Sequence, residues 1–532
     1  MKMKSISSRT GLIVLILLPA FRFIDAQTAP RDSTQSIIMR SYTPPLGAQL
    51  IRPSQTEYRL WQGFMLVRSA NDGDPAAEHE LGLRYFLGDG FPQDTALAAY
   101  WIGKAAEQKM PIAEYNYGVF LNNGWGVKWN PFKAFEEFKE AADNHLPEAE
   151  LALGLMYTDN LVVQRDWAEA YKLVKASAET KYSPAVKILS EFVRRGIGPG
   201  TDSNSNAKAE EKSISSEGAG SFQPVFLNFG ADTVTQVNDS TILEEAYRNG
   251  GAILQSALPK RESNTFRTTR DPNSIRLLKK AANLGDPEAL TVLGRCYEKG
   301  SGVRVDPILA AEQYLRAARL DSRQALVLLL DLARNKTFNQ KLESRTKAGS
   351  SDAAYVWAGL TELGFDQRLD SSQAIELLKA AAAHGNIPAL LELGRCYYTG
   401  QLTATDTALG RQCWLQAAEE GSVEAKVRLA AAAVLGDSPT AERAGEASTS
   451  HALADTIKIL TSASHDGSVI AQLALAYCFE YGIGLAKDTP EAVKIYRITA
   501  DHGSRAAYEG LRVMYNRIRP SEVQFQIKTV NN

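Results

Sequence analysis

The chain has 532 residues, of which 44% are hydrophobic and 23% charged, so most of its length can bury surface in a folded structure. Its 59 basic residues are balanced by 61 acidic ones, which gives a formal net charge of −2. The sequence has no basic stripe and no polybasic tail, which argues against nucleic acid and anionic membranes as partners.

The first 26 residues are ordered like a secretory signal peptide. Lys2 and Lys4 give a positive start, an eleven-residue apolar run covers 11–21, and Ala26 offers a cleavage site. The apolar run is too short for a helix that crosses a bilayer. We therefore expect a mature chain without a membrane span that is secreted or periplasmic, or in the endoplasmic-reticulum lumen if the source is eukaryotic. An uncleaved anchor is the alternative.

Residues 27–54 contain Pro and Ser and lack helical periodicity, which predicts a flexible leader. From residue 55 the sequence changes to a repeat. A pair of small residues recurs before a turn, and seven of its steps are 36 residues long. The clearest pairs are Ala105-Ala106, Ala141-Ala142, Ala281-Ala282, Ala317-Ala318, Ala381-Ala382 and Ala417-Ala418.

Three other positions keep a fixed distance from the second residue of this pair. Eighteen residues before it stands a glycine suited to end a helix, and twelve before it an Asp or Asn suited to begin one. A glycine twenty-four before lies inside the first helix, where it lets the neighbouring helix approach. The pattern therefore predicts that each unit consists of two helices joined by a glycine turn, as in the helices 76–87 and 95–107. The three sets are Gly88, Gly124, Gly300, Gly400 and Gly482; Asp94, Asn130, Asp166, Asp306, Asp370, Asp406 and Asp488; and Gly82, Gly118, Gly154, Gly294 and Gly394.

An insertion interrupts this array. The insertion covers 197–271, and its part 197–237 is rich in Ser, Asn, Lys, Glu and Gly. The composition of 202–221 is typical of disorder, and the weak alternation over 225–237 predicts a short strand or extended segment. The insertion separates an N-terminal block over 55–196 from a C-terminal block over 272–516. Whether the two blocks stack continuously or hinge stays open at this point.

Smaller departures occur within the C-terminal block. A 28-residue step predicts a degenerate unit around 334–349 that keeps its helix and drops the glycine turn. A 46-residue step predicts a loop over 437–450, because insertions in such arrays fall in loops. Residues 517–532 are expected to be a C-terminal tail, whose last segment, 524–532, packs on the last unit as a cap.

The repeated pattern resembles the Sel1-like repeat family, a relative of the tetratricopeptide repeats. Ala289–Val303 reads ALTVLGRCYEKGSGV and is followed by Asp306 and Ala317-Ala318, and a second clear copy begins at Ala389. Tetratricopeptide repeats, which run 34 residues without the glycine turn, are the alternative. The resemblance implies an all-α fold, an α-α superhelical solenoid of about ten helix pairs with a flexible central insertion. Such solenoids offer a concave groove for a protein or peptide partner.

The sequence carries no recognisable catalytic, metal-binding or nucleotide-binding motif, so we predict neither an enzyme nor a cofactor. Four of the six histidines, His145, His384, His465 and His502, follow the small-residue pair by one to three residues. That position beside the inter-repeat turn predicts histidines that cap the turn or are solvated.

The family resemblance raises one enzymatic alternative, because some cysteine-rich secreted members are described as binding or hydrolysing β-lactams. The Ser-x-x-Lys pattern of serine penicillin-recognising enzymes occurs at Ser205–Lys208 and Ser344–Lys347. The companion Ser-Asp-Asn and Lys-Thr-Gly motifs do not accompany it. A two-residue match of this kind arises by chance, which favours a binding protein over a hydrolase.

The four cysteines also argue against that branch of the family. Cys296, Cys396 and Cys478 occupy the same site in three units, which predicts small buried side chains in the solenoid core. A Cys396–Cys413 disulfide is the alternative, since an oxidising compartment permits it.

These observations together predict a secreted or periplasmic scaffold that binds proteins or envelope components. Aromatic residues outside the core register are candidates for groove contacts, with core packing as the alternative for each. They are Trp125, Trp129, Phe132 and Phe135. A β-lactam or cell-wall peptide hydrolase and a luminal quality-control adaptor of the endoplasmic reticulum are the competing functions.

Overall fold

The computed structural model describes residues 63–194, 197–198, 239–258, 272–435, 446–501 and 503–527. The predicted signal peptide, the leader, the start of the N-terminal block and most of the insertion lie outside these residues. Within them, the regular structure consists of 24 α-helices and one short 3₁₀ turn, with no strand. No helix of this part is long and apolar enough to cross a membrane.

Eight helices precede the insertion. They are α1 (Gly63–Asn71), α2 (Pro75–Leu87), α3 (Thr95–Glu107), α4 (Pro111–Asn123), α5 (Pro131–Asp143), α6 (Pro147–Asp159), α7 (Trp167–Glu179) and α8 (Ser183–Arg194). Consecutive helices pack on each other as antiparallel pairs, and each pair packs on the next. This arrangement confirms the predicted all-α solenoid of helix pairs.

Sixteen further helices follow. They are α9 (Asp239–Asn249), α10 (Ala252–Ala257), α11 (Pro272–Asn283), α12 (Pro287–Lys299), α13 (Pro307–Arg319), α14 (Arg323–Arg334), α15 (Lys336–Lys347), α16 (Ser351–Glu362), α17 (Ser371–Ala383), α18 (Ile387–Thr399), α19 (Thr407–Glu419), α20 (Val423–Val434), α21 (Glu446–His465), α22 (Val469–Tyr481), α23 (Thr489–Asp501) and α24 (Arg505–Arg517). The 3₁₀ turn covers Val523–Phe525.

The repeated residues act as the sequence predicts at the helix ends. Asp94 accepts hydrogen bonds from the backbone N–H groups of Ala96 and Leu97, both at 2.9 Å, and so caps α3. Gly88 ends α2 in the left-handed conformation, with φ 72°. At the equivalent position of the third unit, Asn160 adopts the same conformation, with φ 55°, because Asn tolerates the left-handed region better than most residues.

The glycine inside each first helix marks a close helix–helix contact. A Cβ added at Gly294 would lie 2.5 Å from the ring of Tyr314, and one at Gly394 would lie 2.3 Å from Trp414. In each case the obstructing residue stands twenty positions later, on the second helix of the same unit. The glycine is thus required because a large side chain from the partner helix fills the space above it.

The two irregular steps of the C-terminal block have different outcomes. The 28-residue step keeps two helices, and Asn335 alone links them by ending α14 and capping α15, so the degenerate unit is confirmed. The loop predicted over 437–450 is wrong in its last part, because α21 already begins at Glu446. The segment from Glu446 to His465 contains no glycine or proline that would break a helix. The helix therefore begins more than one turn before the predicted end of the loop.

Two helices, α9 and α10, lie inside the segment predicted as an insertion. Ala246 of α9 stands 36 residues before Ala282, so this helix keeps the register of the array. It packs on α12, where Arg295 donates to Asp239 at 2.6 Å. The repeat-like structure after the insertion therefore starts before residue 272.

Turns that are far apart in sequence touch within the C-terminal block. The backbone N–H of Arg505 donates to Asp321 at 3.1 Å, and these residues are 184 positions apart. Arg316 forms an ion pair with Glu424 at 3.1 Å across 108 positions. The superhelix is therefore wound tightly enough to bring together units that are three and five repeats apart.

The N-terminal block also contacts the end of the chain. Arg519 donates to the carbonyl oxygens of Leu161 and Val162 at 2.7 and 3.0 Å. Tyr508 on α24 donates to the carbonyl oxygen of Asp159 at 3.1 Å. The last residues thus pack on the second and third helix pairs of the N-terminal block as well as on the last unit.

Candidate interaction surfaces

Three of the four aromatic candidates lie in the core. Trp129, Phe132 and Phe135 are almost completely buried. The ring of Phe132 meets that of Phe525 with centroids 5.2 Å apart, and Trp129 meets Tyr515 at 5.1 Å. This placement contradicts the prediction that these three side chains form part of a binding surface, because the C-terminal end of the same chain already covers them.

The fourth candidate, Trp125, is half-buried. Its ring lies 5.1 Å from that of Phe86 and 5.8 Å from that of Phe120. These contacts tie the turn after α4 to the first helix of the preceding unit, so part of the ring serves packing.

An exposed apolar stripe that the sequence reasoning missed lies on α3. Leu97 is 40% exposed and Tyr100 is 54% exposed. The ring of Trp101 stands 5.1 Å from that of Tyr100, and the ammonium group of Lys104 lies over both rings at 5.0 and 5.5 Å. The spacing of these four residues places them on one helix face. We call this set the α3 stripe.

The same positions carry charges in the following unit. Thirty-six residues after Leu97 and Tyr100 stand Lys133 and Glu136, and Glu137 follows at the position of Trp101. Packing within the repeat therefore does not require apolar side chains there. Aligning the units position by position would have revealed this difference from the sequence alone.

Buried charges from three helices of the C-terminal block meet in one cluster. Arg319 of α13 pairs with Glu362 of α16 and with Glu392 of α18, each at 2.7 Å. Arg395 pairs with the same two carboxylates, at 2.9 Å from Glu392, and also hydrogen-bonds Gln401. Two guanidinium groups thus neutralise two carboxylates in a region closed to solvent.

The cluster includes the only set of possible metal ligands found among the described residues: Glu362, Glu392 and Cys396. Burial raises the pKa of Cys396 well above its usual range. Burial also acts on Glu392, but Arg319 and Arg395 outweigh it and hold the pKa of that carboxyl below its usual range. A metal ion would meet two fixed positive charges here, so the donor set fits a structural ion cluster better than a cation site.

The Ser-x-x-Lys pattern of the second candidate site lies on the surface of α15. Ser344 is exposed, and Lys347 donates to Glu343 at 2.7 Å. The ammonium group of Lys347 is therefore bound to a carboxylate beside an exposed serine. The other copy, Ser205–Lys208, lies outside the described residues.

The described cysteines, and the described histidines beside the inter-repeat turns, lie where the sequence predicts. Cys296, Cys396 and Cys478 are buried as predicted, and all four cysteines are free, so the alternative Cys396–Cys413 disulfide is absent. His384 caps α17 through a 2.7 Å contact between its ring and a carbonyl oxygen. His145 and His465 are exposed beside their turns, whereas His502 lies outside the residues whose side chains are described.

Comparison with known proteins shows the family to which the chain belongs. Seven segments match the Sel1 repeat. They are 75–110, 111–145, 271–286, 287–322, 351–386, 387–422 and 469–504. The chain is a Sel1-repeat protein. Proteins of this repeat class act as protein–protein interaction scaffolds, and the array described above is a solenoid of that kind.

Curated relatives of this Sel1-repeat protein come from distant organisms. An uncharacterised protein of Neisseria meningitidis serogroup B is 26% identical over 251 residues, covering 44% of this chain and 49% of that protein. A component of an ERAD-associated E3 ubiquitin-protein ligase of Arabidopsis thaliana, HRD3B, is 36% identical over 105 residues, or 19% and 16% of the two chains. The chitin synthase regulator SKT5 of Saccharomyces cerevisiae is 26% identical over 269 residues, or 47% and 37%. The chain spans half or less of the length of these relatives.

Two solved structures are also similar. A protective antigen with an SLR fold, present in uropathogenic Escherichia coli strains, is 21% identical and covers 89% of this chain and 100% of its own, with a TM-score of 0.27. A Sel1 repeat protein from Oxalobacter formigenes is 30% identical and covers 25% and 98%, with a TM-score of 0.23. At these TM-scores neither neighbour supports a functional argument.

Proposed function

We propose that this Sel1-repeat protein is an interaction scaffold that binds a protein partner through the α3 stripe. The observation that carries the proposal is the exposure of Leu97 and Tyr100 at positions where the next unit carries Lys133 and Glu136. Apolar residues that the fold does not require, and that remain exposed, are typical of binding surfaces.

The chemistry of the stripe fits a protein partner. Tyr and Trp are the residues most often found at the energetic centre of protein interfaces. Here Tyr100 and Trp101 lie side by side, and the cation of Lys104 above them adds a polar contact at the edge. A partner would cover the two rings with an apolar side chain, while the ammonium group already lies 3.6 Å from the buried carboxylate of Glu78.

A binding role is favoured over the hydrolase alternative by the state of the candidate nucleophiles. Cys396 is buried, and the pKa of its thiol is raised by burial, which keeps it protonated. The ammonium group of Lys347 donates a hydrogen bond to Glu343, so it does not activate Ser344. The named relatives also support a binding role, since their names describe a component and a regulator of other proteins.

We further propose that the protein acts outside the cytoplasm. The support is the order of charges, apolar run and small residue in 1–26. Periplasm or extracellular space is expected in a bacterium, and the endoplasmic-reticulum lumen in a eukaryote. Mass spectrometry of the N-terminal peptide from the native source should find a chain that begins at residue 27; an intact residue 1 would contradict export by cleavage.

The scaffold proposal is tested by photo-crosslinking in the native compartment. A crosslinking amino acid at position 100 should capture a discrete protein, and the variant Leu97→Lys should abolish capture. The substitution introduces the residue that the next unit carries, so the fold is expected to tolerate it. Lys172, the repeat equivalent of Tyr100 on α7, is the control site. Equal capture at positions 100 and 172, or capture that survives Leu97→Lys, would overturn the proposal.

A further inference from the structure

A second surface lies in the C-terminal block, where α11 meets turns from distant units. A cavity of about 450 Å³ opens there, which is within the usual size range of ligand pockets. Its lining consists of Arg276, Lys279, Lys280, Asn283, Leu284, Val423 and Asp466. The pocket exists only because the superhelix brings residues about 140 to 190 positions apart together.

The basic side chains of this pocket have few polar contacts with the described residues. Arg276 contacts the amide of Asn273 at 2.9 Å, and Lys279 lies 6.0 Å from the ring of Tyr297. Among the described residues, no carboxylate forms an ion pair with Arg276, Lys279 or Lys280. Asp466 is the single acidic residue of the lining, so the pocket carries a net charge of about +2.

Other units satisfy or replace these cations. On α7 the residues equivalent to Arg276 and Lys279 are Lys172 and Lys175. Lys172 pairs with Glu169 at 3.0 Å, and Lys175 pairs with Glu179 at 3.8 Å. Within the described residues, the lack of ion pairs at these two positions thus distinguishes α11 from α7.

The floor of the pocket is apolar. Leu284 is nearly buried, and Val423, the first residue of α20, is exposed across from it. Arg276 and Lys280 stand four residues apart on α11, and Leu284 follows four residues later in the turn directly after the helix, which gives a row of two cations and one apolar side chain. The N-terminal end of α20 adds partial positive charge beside Val423.

We propose that this row binds an acidic peptide segment in extended conformation. Residues four apart on a helix are displaced by about 6 Å along its axis, whereas alternate residues of an extended chain are about 6.6 Å apart. Two acidic residues separated by one residue can therefore face Arg276 and Lys280. An apolar residue two positions further on then reaches Leu284 and Val423. The preferred pattern is acidic-x-acidic-x-apolar.

The same chemistry argues against a nucleic acid at this site. A phosphodiester polymer would place its charges along Arg276 and Lys280 but would leave Leu284 and Val423 without an apolar partner. A peptide offers both kinds of side chain in one segment.

The test is a fluorescence anisotropy titration of the purified full chain with a labelled peptide, Gly-Glu-Ser-Glu-Ser-Leu-Gly. Binding should weaken at least tenfold for the version with Gln in place of both Glu residues. It should also weaken as ionic strength rises, because exposed charge pairs are screened. Equal affinity for the Glu and Gln peptides would overturn the proposal, and so would tighter binding of a single-stranded oligonucleotide of equal length.

Variants of the protein locate the binding. The double variant Arg276→Glu with Lys280→Glu should lose at least tenfold in affinity. The control, Lys172→Glu with Lys175→Glu, makes the same change of charge on α7, the equivalent helix of another unit, and should change affinity less than twofold. An equal loss of peptide affinity in the two double variants would show non-specific attraction to basic residues, and it would overturn the assignment of the peptide to this pocket. Leu97→Lys should leave peptide binding unchanged, so a failure of this proposal is separate from a failure of the α3 stripe.

Discussion

Phe525 should hold the N-terminal block to the end of the chain. Its side chain is 1% exposed and lies between the rings of Phe132 and Phe135 on α5, at centroid distances of 5.2 and 5.8 Å. A buried Phe removes roughly 200 Å² from water, worth about 5 kcal/mol at most. Phe525→Ala leaves the Cβ in place, so we expect a loss of about 3 to 5 kcal/mol in local stability.

Hydrogen–deuterium exchange resolves this loss along the chain. Since 1.4 kcal/mol corresponds to a factor of ten, a loss of about 3 kcal/mol should speed exchange in α5 and α24 by roughly 100-fold. Exchange in α18 and α19, which lie away from the contact, should not change. Val523→Ala is the control, because Val523 is 89% exposed two positions earlier. Unchanged exchange in α5 in the Phe525→Ala variant would refute the contact between block and tail.

Three further predictions follow from single residues. Gly394→Ala should lower the urea midpoint of unfolding and cost about 1 to 3 kcal/mol, because the new Cβ meets Trp414; a gain in stability, as helix propensity alone predicts, would contradict this packing. Burial raises the pKa of Asp159 to about 7, so the folded state holds a proton that the unfolded state loses above pH 4. Stability should therefore fall between pH 4 and 7 in the wild type relative to Asp159→Asn, and a constant difference between the two urea midpoints across that range would refute it. Under native, non-reducing conditions Cys413 should react with iodoacetamide before Cys396, which is fully buried, and protection of both thiols as a disulfide would show otherwise.

Helix boundaries were predictable wherever a local residue fixes them. Asp94 sets the first turn of α3, and Gly88 ends α2, because capping and left-handed conformation depend on residues only a few positions apart. The start of α21 was missed, since Ser, Thr and Gly residues before it suggested a loop. Local signals determine a helix end only when one residue type is strongly preferred there.

Candidate surfaces were harder to predict. Trp129 and Phe132 stand out of the core register of their own unit, which suggested exposure, but Tyr515 and Phe525 cover them. Periodicity reports which residues face the neighbouring helix of the array, and it contains no information on contacts nearly 400 positions apart. The α3 stripe, by contrast, could have been found by comparing equivalent positions of successive units.

The sequence by itself determined the repeat, its two helices, their caps and the glycine at each close contact, because each of these depends on interactions within about 36 residues. The tertiary structure decided which surfaces remain free. Winding of the superhelix buried Arg319 and Arg395 with their carboxylates, whereas it left Arg276 and Lys280 beside an apolar floor with no ion-pair partner among the described residues. The burial of a charge depends on how successive units are rotated against each other, and small rotations add up over many repeats.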